Sequence, residues 1–115
     1  MIRRNGEFPV EVRQRARGGE GSLKLEHLLT ADEFFHKGRM IAKITLEPGC
    51  SMGQHKHEGE MELYYILFGE ATVTDETEVK TLYPGDVMYT GDGGSHSIAN
   101  AGEETLTLLA VIISK

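Results

Sequence analysis

The chain has 115 residues, with 12 Lys plus Arg against 18 Asp plus Glu and a net charge of −6. That length fits one domain able to bury a single hydrophobic core without staples. The single cysteine, Cys50, excludes an internal disulfide and fits a reducing, cytoplasmic setting. Apolar runs such as Leu63–Phe68 and Leu108–Ile113 are far shorter than the roughly 20 residues a spanning helix needs. Arg3-Arg4 is followed by Asn5-Gly6-Glu7, so neither a membrane span nor a signal peptide is expected. Glycine supplies 14 residues, well above the usual background of about 7%, and without low complexity that implies many turns between short strands.

In chain order, Val10 to Arg17 alternates apolar or small residues with charged ones, a period of two that predicts a strand with Arg13, Arg15 and Arg17 on one face. Gly18-Gly19-Glu20-Gly21 then breaks the chain, so residues 1–21 are expected to form an N-terminal strand or arm and residues 22–115 the body. Leu23 to Leu29 reads as a second strand. Thr30-Ala31-Asp32-Glu33 resembles a helix cap followed by acids, giving one short turn through Phe35. Arg39 to Leu46 is a strand ended by the turn Glu47-Pro48-Gly49. Strands follow at Met61–Phe68, Glu70–Thr74, Glu78–Tyr83, Val87–Thr90, Ser95–Asn100 and Thr105–Ile113, punctuated by Pro84-Gly85-Asp86 and Gly91-Asp92-Gly93-Gly94. Many short strands with little helix predict an all-β, antiparallel sandwich or barrel.

His55 and His57 are spaced so that a strand points both imidazoles to one face, with Lys56 on the other. Glu62 opens the next apolar strand and His96 opens a later one. A hairpin that brings Glu62 beside the pair, in a barrel that closes, lets His96 face all three. Three neutral imidazoles and one carboxylate suit a divalent transition metal, with positions left for water or substrate. A solvated strand face is the plainer account of an isolated His-x-His.

The stretch Gly49-x5-His55-x-His57-x4-Glu62-x6-Gly69 matches the first signature of the cupin superfamily, and Gly85-x5-Gly91-Asp92-Gly93-x2-His96-x3-Asn100 nearly matches the second. The departure is Gly91, where the family usually has proline, which suggests a looser loop. The chain thus resembles the small single-domain bacterial cupins, with motifs at 49–69 and 85–100. The resemblance implies an antiparallel jelly-roll β-barrel and a metal held by His55, His57, Glu62 and His96. The ion would be a single Mn, Fe, Ni or Zn. Gly49, Gly69 and Gly85 would be turn glycines, and Asn100 a backbone-pairing residue at a strand end. The family's small members commonly dimerise, so a homodimer is expected.

Strand parity places Tyr64 and Ile66 inward with Glu62, and Ile98 inward with His96, while Met40, Met52, Met88 and Tyr89 are further candidates for the wall. The expected cavity is mostly apolar, and one of a few hundred Å3 would mark a ligand site. Tyr64 is the candidate catalytic group near the ion. Glu58 and Glu60 read as solvated turn carboxylates, Cys50 as a bystander thiol, and His27 and His36 as ordinary surface residues. Residues 1–17 hold five arginines and two glutamates, leaving the remainder acidic. The Arg13, Arg15, Arg17 face admits three readings. It could bind nucleic acid, which the acidic body and lack of interleaved aromatics disfavour. It could supply a guanidinium to an anionic substrate if the strand crosses the barrel mouth. The preferred reading is an edge or exchanged strand meeting acidic surface on a second subunit. The expected function is a metalloenzyme acting on a small oxygenated organic molecule, as oxygenase, isomerase or decarboxylase. The alternative is a non-catalytic module that binds or senses a small metabolite.

Overall fold

The alternating apolar residues become ten antiparallel strands in the computed structural model, which describes residues 1–115. They are β1 (Val10–Gln14), β2 (Ser22–Leu29), β3 (Gly38–Leu46), β4 (Ser51–Lys56), β5 (Glu60–Phe68), β6 (Ala71–Asp75), β7 (Glu78–Leu82), β8 (Val87–Thr90), β9 (Ser95–Ala99) and β10 (Leu106–Ser114). Six strands form one sheet in the order β1-β2-β3-β10-β5-β8, and four form the facing sheet in the order β4-β9-β6-β7. This two-sheet antiparallel jelly roll is the fold class that the pattern and the family resemblance imply. No helix is long and apolar enough to cross a membrane.

The core is one cluster of 17 buried apolar residues, and the period of two explains its membership. In β3, Met40, Ala42, Ile44 and Leu46 are buried while the residues between them are not. Leu106, Leu108, Ala110 and Ile112 repeat the pattern in β10, which lies beside β3 in register. Met52, Ala71, Val73 and Ile98 answer from the second sheet. Fully burying each large aliphatic side chain contributes about 1.5–3 kcal/mol. The short turn expected after Thr30 is a 3-10 turn over Ala31–Phe34, and Glu33 accepts hydrogen bonds from the Thr30 N–H and hydroxyl.

The first strand departs from expectation. It stops at Gln14, and Ala16–Gly18 forms a 3-10 turn in which Arg15 and Arg17 adopt left-handed backbone, φ 47° and 55°. The three arginines therefore do not share one strand face: the alternation that would align them ends at Gln14. The turn is seated on β4. A methyl group on Gly19 would lie 2.2 Å from the Ser51 carbonyl oxygen, and one on Gly53 would lie 2.1 Å from that of Arg17. Only two glycines permit so close a backbone approach. The Ser51 N–H also donates to the Glu20 carbonyl at 2.8 Å, and the Glu20 N–H to the Ser51 hydroxyl at 2.9 Å.

Asn100 ties the end of β9 to its surroundings. Its buried side chain donates to the carbonyls of Leu46 and Glu104, each at 2.8 Å, and accepts from the Gly102 N–H at 3.0 Å. Asn100→Ala is therefore expected to lower the unfolding free energy by about 2–3 kcal/mol in a urea titration, because it strands buried backbone groups. A loss no larger than that of an ordinary surface substitution would show that these bonds are replaced.

Candidate metal centre

β4 and β9 pair so that His55 lies directly opposite His96. The register shifts between Met52 and His55, a bulge that turns both of these side chains toward the interior although they are an odd number of residues apart. His57 sits one residue beyond β4 and is fixed by the loop before β9. Its N–H donates to the Gly94 carbonyl at 2.9 Å, and its carbonyl accepts from the Gly93 N–H at 2.7 Å. The same loop is held by Asp92, whose carboxylate accepts from the Gly59 N–H at 2.6 Å and from Lys115 at 3.2 Å. These bonds tie down the loop in which Gly91 stands where the family usually has proline. Glu62 comes from β5 in the other sheet, so the cluster bridges the two layers.

The four side chains named from the sequence are brought together. His57 Nε2 lies 3.1 Å from His96 Nε2, and His96 Nε2 lies 3.0 Å from His55 Nε2. Glu62 Oε1 is 2.9 Å from His57 Nε2 and 3.0 Å from His96 Nε2. Adjacent donors set at right angles around an ion with bonds of about 2.1 Å stand about 3.0 Å apart. His57, Glu62 and His96 are buried, and His55 is partly open.

The hydrogen bonds on the far side of each ring settle which nitrogen is free. His57 Nδ1 faces Glu60 Oε2 at 2.5 Å and His55 Nδ1 faces the Gly53 carbonyl at 2.7 Å, both pure acceptors. Each Nδ1 must carry the hydrogen, which leaves an Nε2 lone pair directed into the cluster when the ring is neutral. His96 Nδ1 can donate likewise to Thr90 Oγ1 at 2.7 Å. Burial, with repulsion from the other two histidines, lowers the His55 pKa to about 4. Burial pushes the Glu62 carboxyl up, but bonds from His57 and His96 outweigh it and hold the group at about 2. His57 is raised, chiefly by its bond to Glu62. At neutral pH Glu62 is thus a carboxylate and His55 a neutral imidazole, and each ring that is neutral points its Nε2 lone pair inward. Lone pairs converging on one point repel, so this donor set fits a divalent transition metal.

Glu60 was missed at the sequence level. Rather than a solvated turn carboxylate, it is largely buried, supports His57 and forms a paired ion bridge with Arg39 through two contacts of 2.9 Å. Arg39, together with His57, keeps its carboxyl below the usual range. The signal was available: the period of two that turns Glu62 inward also turns Glu60 inward. Glu58 remains exposed. Tyr64 is buried and stacked on His96 with ring centroids 4.9 Å apart, and burial raises its phenol well above its ordinary pKa. Its hydroxyl lies 3.5 Å from His96 Nε2, beneath the cluster, and it does not line the opening. Tyr89 points outward and is exposed, while Met88 is buried away from the opening. His27 lies near the sheet edge, partly exposed, and bonds Glu11 of the edge strand at 3.0 Å.

The opening onto the cluster is a cleft of about 20 Å3, lined by Arg13, Arg17 and Arg39 with Met40, Met52, His55, His57 and Glu62. One water needs about 10–15 Å3 of such space, so the cleft holds one or two water-sized groups. The expected cavity of a few hundred Å3, apolar with phenols, is not what forms: long side chains from β1, its turn and β3 converge over the ion site. A larger cavity of about 360 Å3, lined by Gly69, Glu70, Gly102, Glu103 and Glu104, shares no side chain with the cluster.

If the site is as drawn, His57→Ala protein purified natively carries no metal, whereas unchanged metal content would refute the ligand set. Glu60→Gln should fold and still bind metal, but with about tenfold to a hundredfold weaker affinity in competition with a chelator, because the acceptor that orients His57 is weakened.

A family model described as Cupin domain matches residues 42–112. An oxalate-binding protein of Thermotoga maritima is 44% identical over 113 residues, covering 98% of this chain and 93% of that relative. A crystal structure of a predicted oxalate decarboxylase from Thermotoga maritima matches with a TM-score of 0.96 and 43% identity over 100% of both chains. An RmlC-like cupin from Shewanella frigidimarina has a TM-score of 0.75 at 19% identity over 99% of this chain and 90% of its own, a likeness of fold alone. Matched by the family model over more than half its length, and by a close relative over nearly all of it, the chain belongs to the cupin domain family.

Proposed function

We propose that His55, His57, Glu62 and His96 hold one divalent transition-metal ion, and that the chain uses it to bind a small carboxylate of oxalate size. The observation that carries this reading is the lining of the cleft, where Arg13, Arg17 and Arg39 stand beside His55, His57 and Glu62. The cleft's narrowness favours the smallest anions over bulky ones such as sugar acids, and its arginines favour negative charge. When bound, the ion supplies Lewis-acid affinity for carboxylate oxygen. The chain supplies the rest. Glu60 and Thr90 orient two of the imidazoles, Met40 and Met52 exclude water, and the arginines draw and hold negative charge. The names of the close relatives, an oxalate-binding protein and a predicted oxalate decarboxylase, point the same way.

Between binding and catalysis, the composition of the cleft favours binding. Apart from the ligand side chains, its polar lining is arginine alone, and arginine does not exchange protons near neutral pH. Tyr64 stays protonated, stacks on His96 and does not line the cleft. A decarboxylase would need a proton donor there to quench the carbanion left as carbon dioxide departs.

Calorimetry on metal-loaded protein is expected to show oxalate binding that chelation abolishes, with glucuronate and sugar phosphates excluded. Equal binding of those larger anions, or no binding of oxalate, would overturn the reading. A parallel assay for formate should remain blank. Formate production would replace the binding role with a catalytic one.

A further inference from the structure

The three arginines over the metal centre are not equivalent. Arg39 is engaged by Glu60 through two contacts of 2.9 Å. Arg13 is engaged by Glu11, with Nε donating to Oε2 at 2.7 Å, and Glu11 in turn meets His27 at 3.0 Å. The Arg13 bond, followed by that from His27, lowers the Glu11 carboxyl to about 2, so Glu11 remains an anion at neutral pH. Arg17 lines the same cleft, and no carboxylate lies within ion-pairing distance of it. It is the one guanidinium of the cleft whose donors are free.

Arg17 is also held in place by unusual means. Its backbone is left-handed at φ 55°, as is that of Arg15 two residues earlier at φ 47°. A non-glycine residue takes that backbone only at a conformational cost. The turn persists because Gly19 packs on Ser51 and the Arg17 carbonyl on Gly53, both in β4, and because the Arg15 N–H donates to the Gly21 carbonyl at 2.8 Å. Strain of this kind, kept by surrounding contacts and located at the rim of a site, is characteristic of ligand clamps.

Charge balance says what the clamp would take. Arg13 and Glu11 cancel, as do Arg39 and Glu60. A divalent ion less the Glu62 charge leaves one positive charge, which a monocarboxylate neutralises. Arg17 adds a second, which only a dianion neutralises. We infer that Arg17 is the specificity residue of this site, binding the second carboxylate of a short dicarboxylate whose first carboxylate lies at the metal. This rests on the binding function proposed above, and it assigns the preference for two carboxylates over one to a single side chain.

The test compares oxalate with acetate by calorimetry on metal-loaded wild-type protein, Arg17→Ala and Arg17→Lys, after equal metal content and equal melting temperature have been verified. Wild type should prefer oxalate. Arg17→Ala should lose about tenfold to a hundredfold in oxalate affinity, the usual effect of removing a charge-assisted bond, with acetate changed no more than about twofold. Arg17→Lys keeps the charge without the planar fork and should fall between. If wild type binds oxalate and Arg17→Ala weakens both anions equally, or neither, the Arg17 assignment is overturned while the proposed function stands. If metal-loaded wild type binds neither anion, the proposed function fails and takes the assignment with it. Should Arg17→Ala melt lower than wild type, the same criteria apply to Arg17→Lys.

Discussion

Three imidazole nitrogens and a carboxylate oxygen about 3 Å apart inside an apolar barrel repel or strand one another unless a cation lies among them. Much of the architecture serves that convergence. The ligands come from both sheets, so the cluster closes the barrel as well as occupying it. A bulge in β4 brings His55 onto the interior face, and the Gly93–Gly94 backbone clasps His57 where the strand has already ended. Each ring is then oriented from behind, by Gly53, Glu60 or Thr90, so its free lone pair faces inward.

Above the cluster the molecule makes a different compromise. A barrel mouth of this kind can be wide and apolar, but here β1 and its strained turn cross it and fill it with guanidinium groups. Internal carboxylates neutralise Arg13 and Arg39, which lets them pack over the site without excess charge. Arg17 remains uncompensated on a backbone that neither propensity nor burial favours. A residue that breaks a local rule without a folding gain is where function is to be sought.

Much of this was legible along the chain. The period of two, broken by Gly and Pro, specified strands and hence an all-β fold, and the resemblance to the cupin signatures singled out His55, His57, Glu62 and His96, which the structure brings together. Parity also placed Tyr64, Ile66 and Ile98 inward. The same parity would have turned Glu60 inward had its nearness to a turn not suggested solvent. The expected arginine face failed for a local reason. Arg15 and Arg17 take left-handed backbone, which residue type alone does not announce in arginine, and a strand pattern extended through them puts every later side chain on the wrong side.

By itself, then, the sequence determined the strand fold and, through its signatures, the four candidate ligands. These follow from chemistry and periodicity within a few residues of each position. Only the tertiary structure decided the size and charge of the cleft, the engagement of Arg39 by Glu60 and of Arg13 by Glu11, and the freedom of Arg17. Those depend on which side chains, distant in sequence, arrive at the same mouth, and on two glycines more than thirty residues apart letting a turn settle onto β4. Register across two sheets and backbone contact set that arrangement, and neither has a period that can be read along a chain.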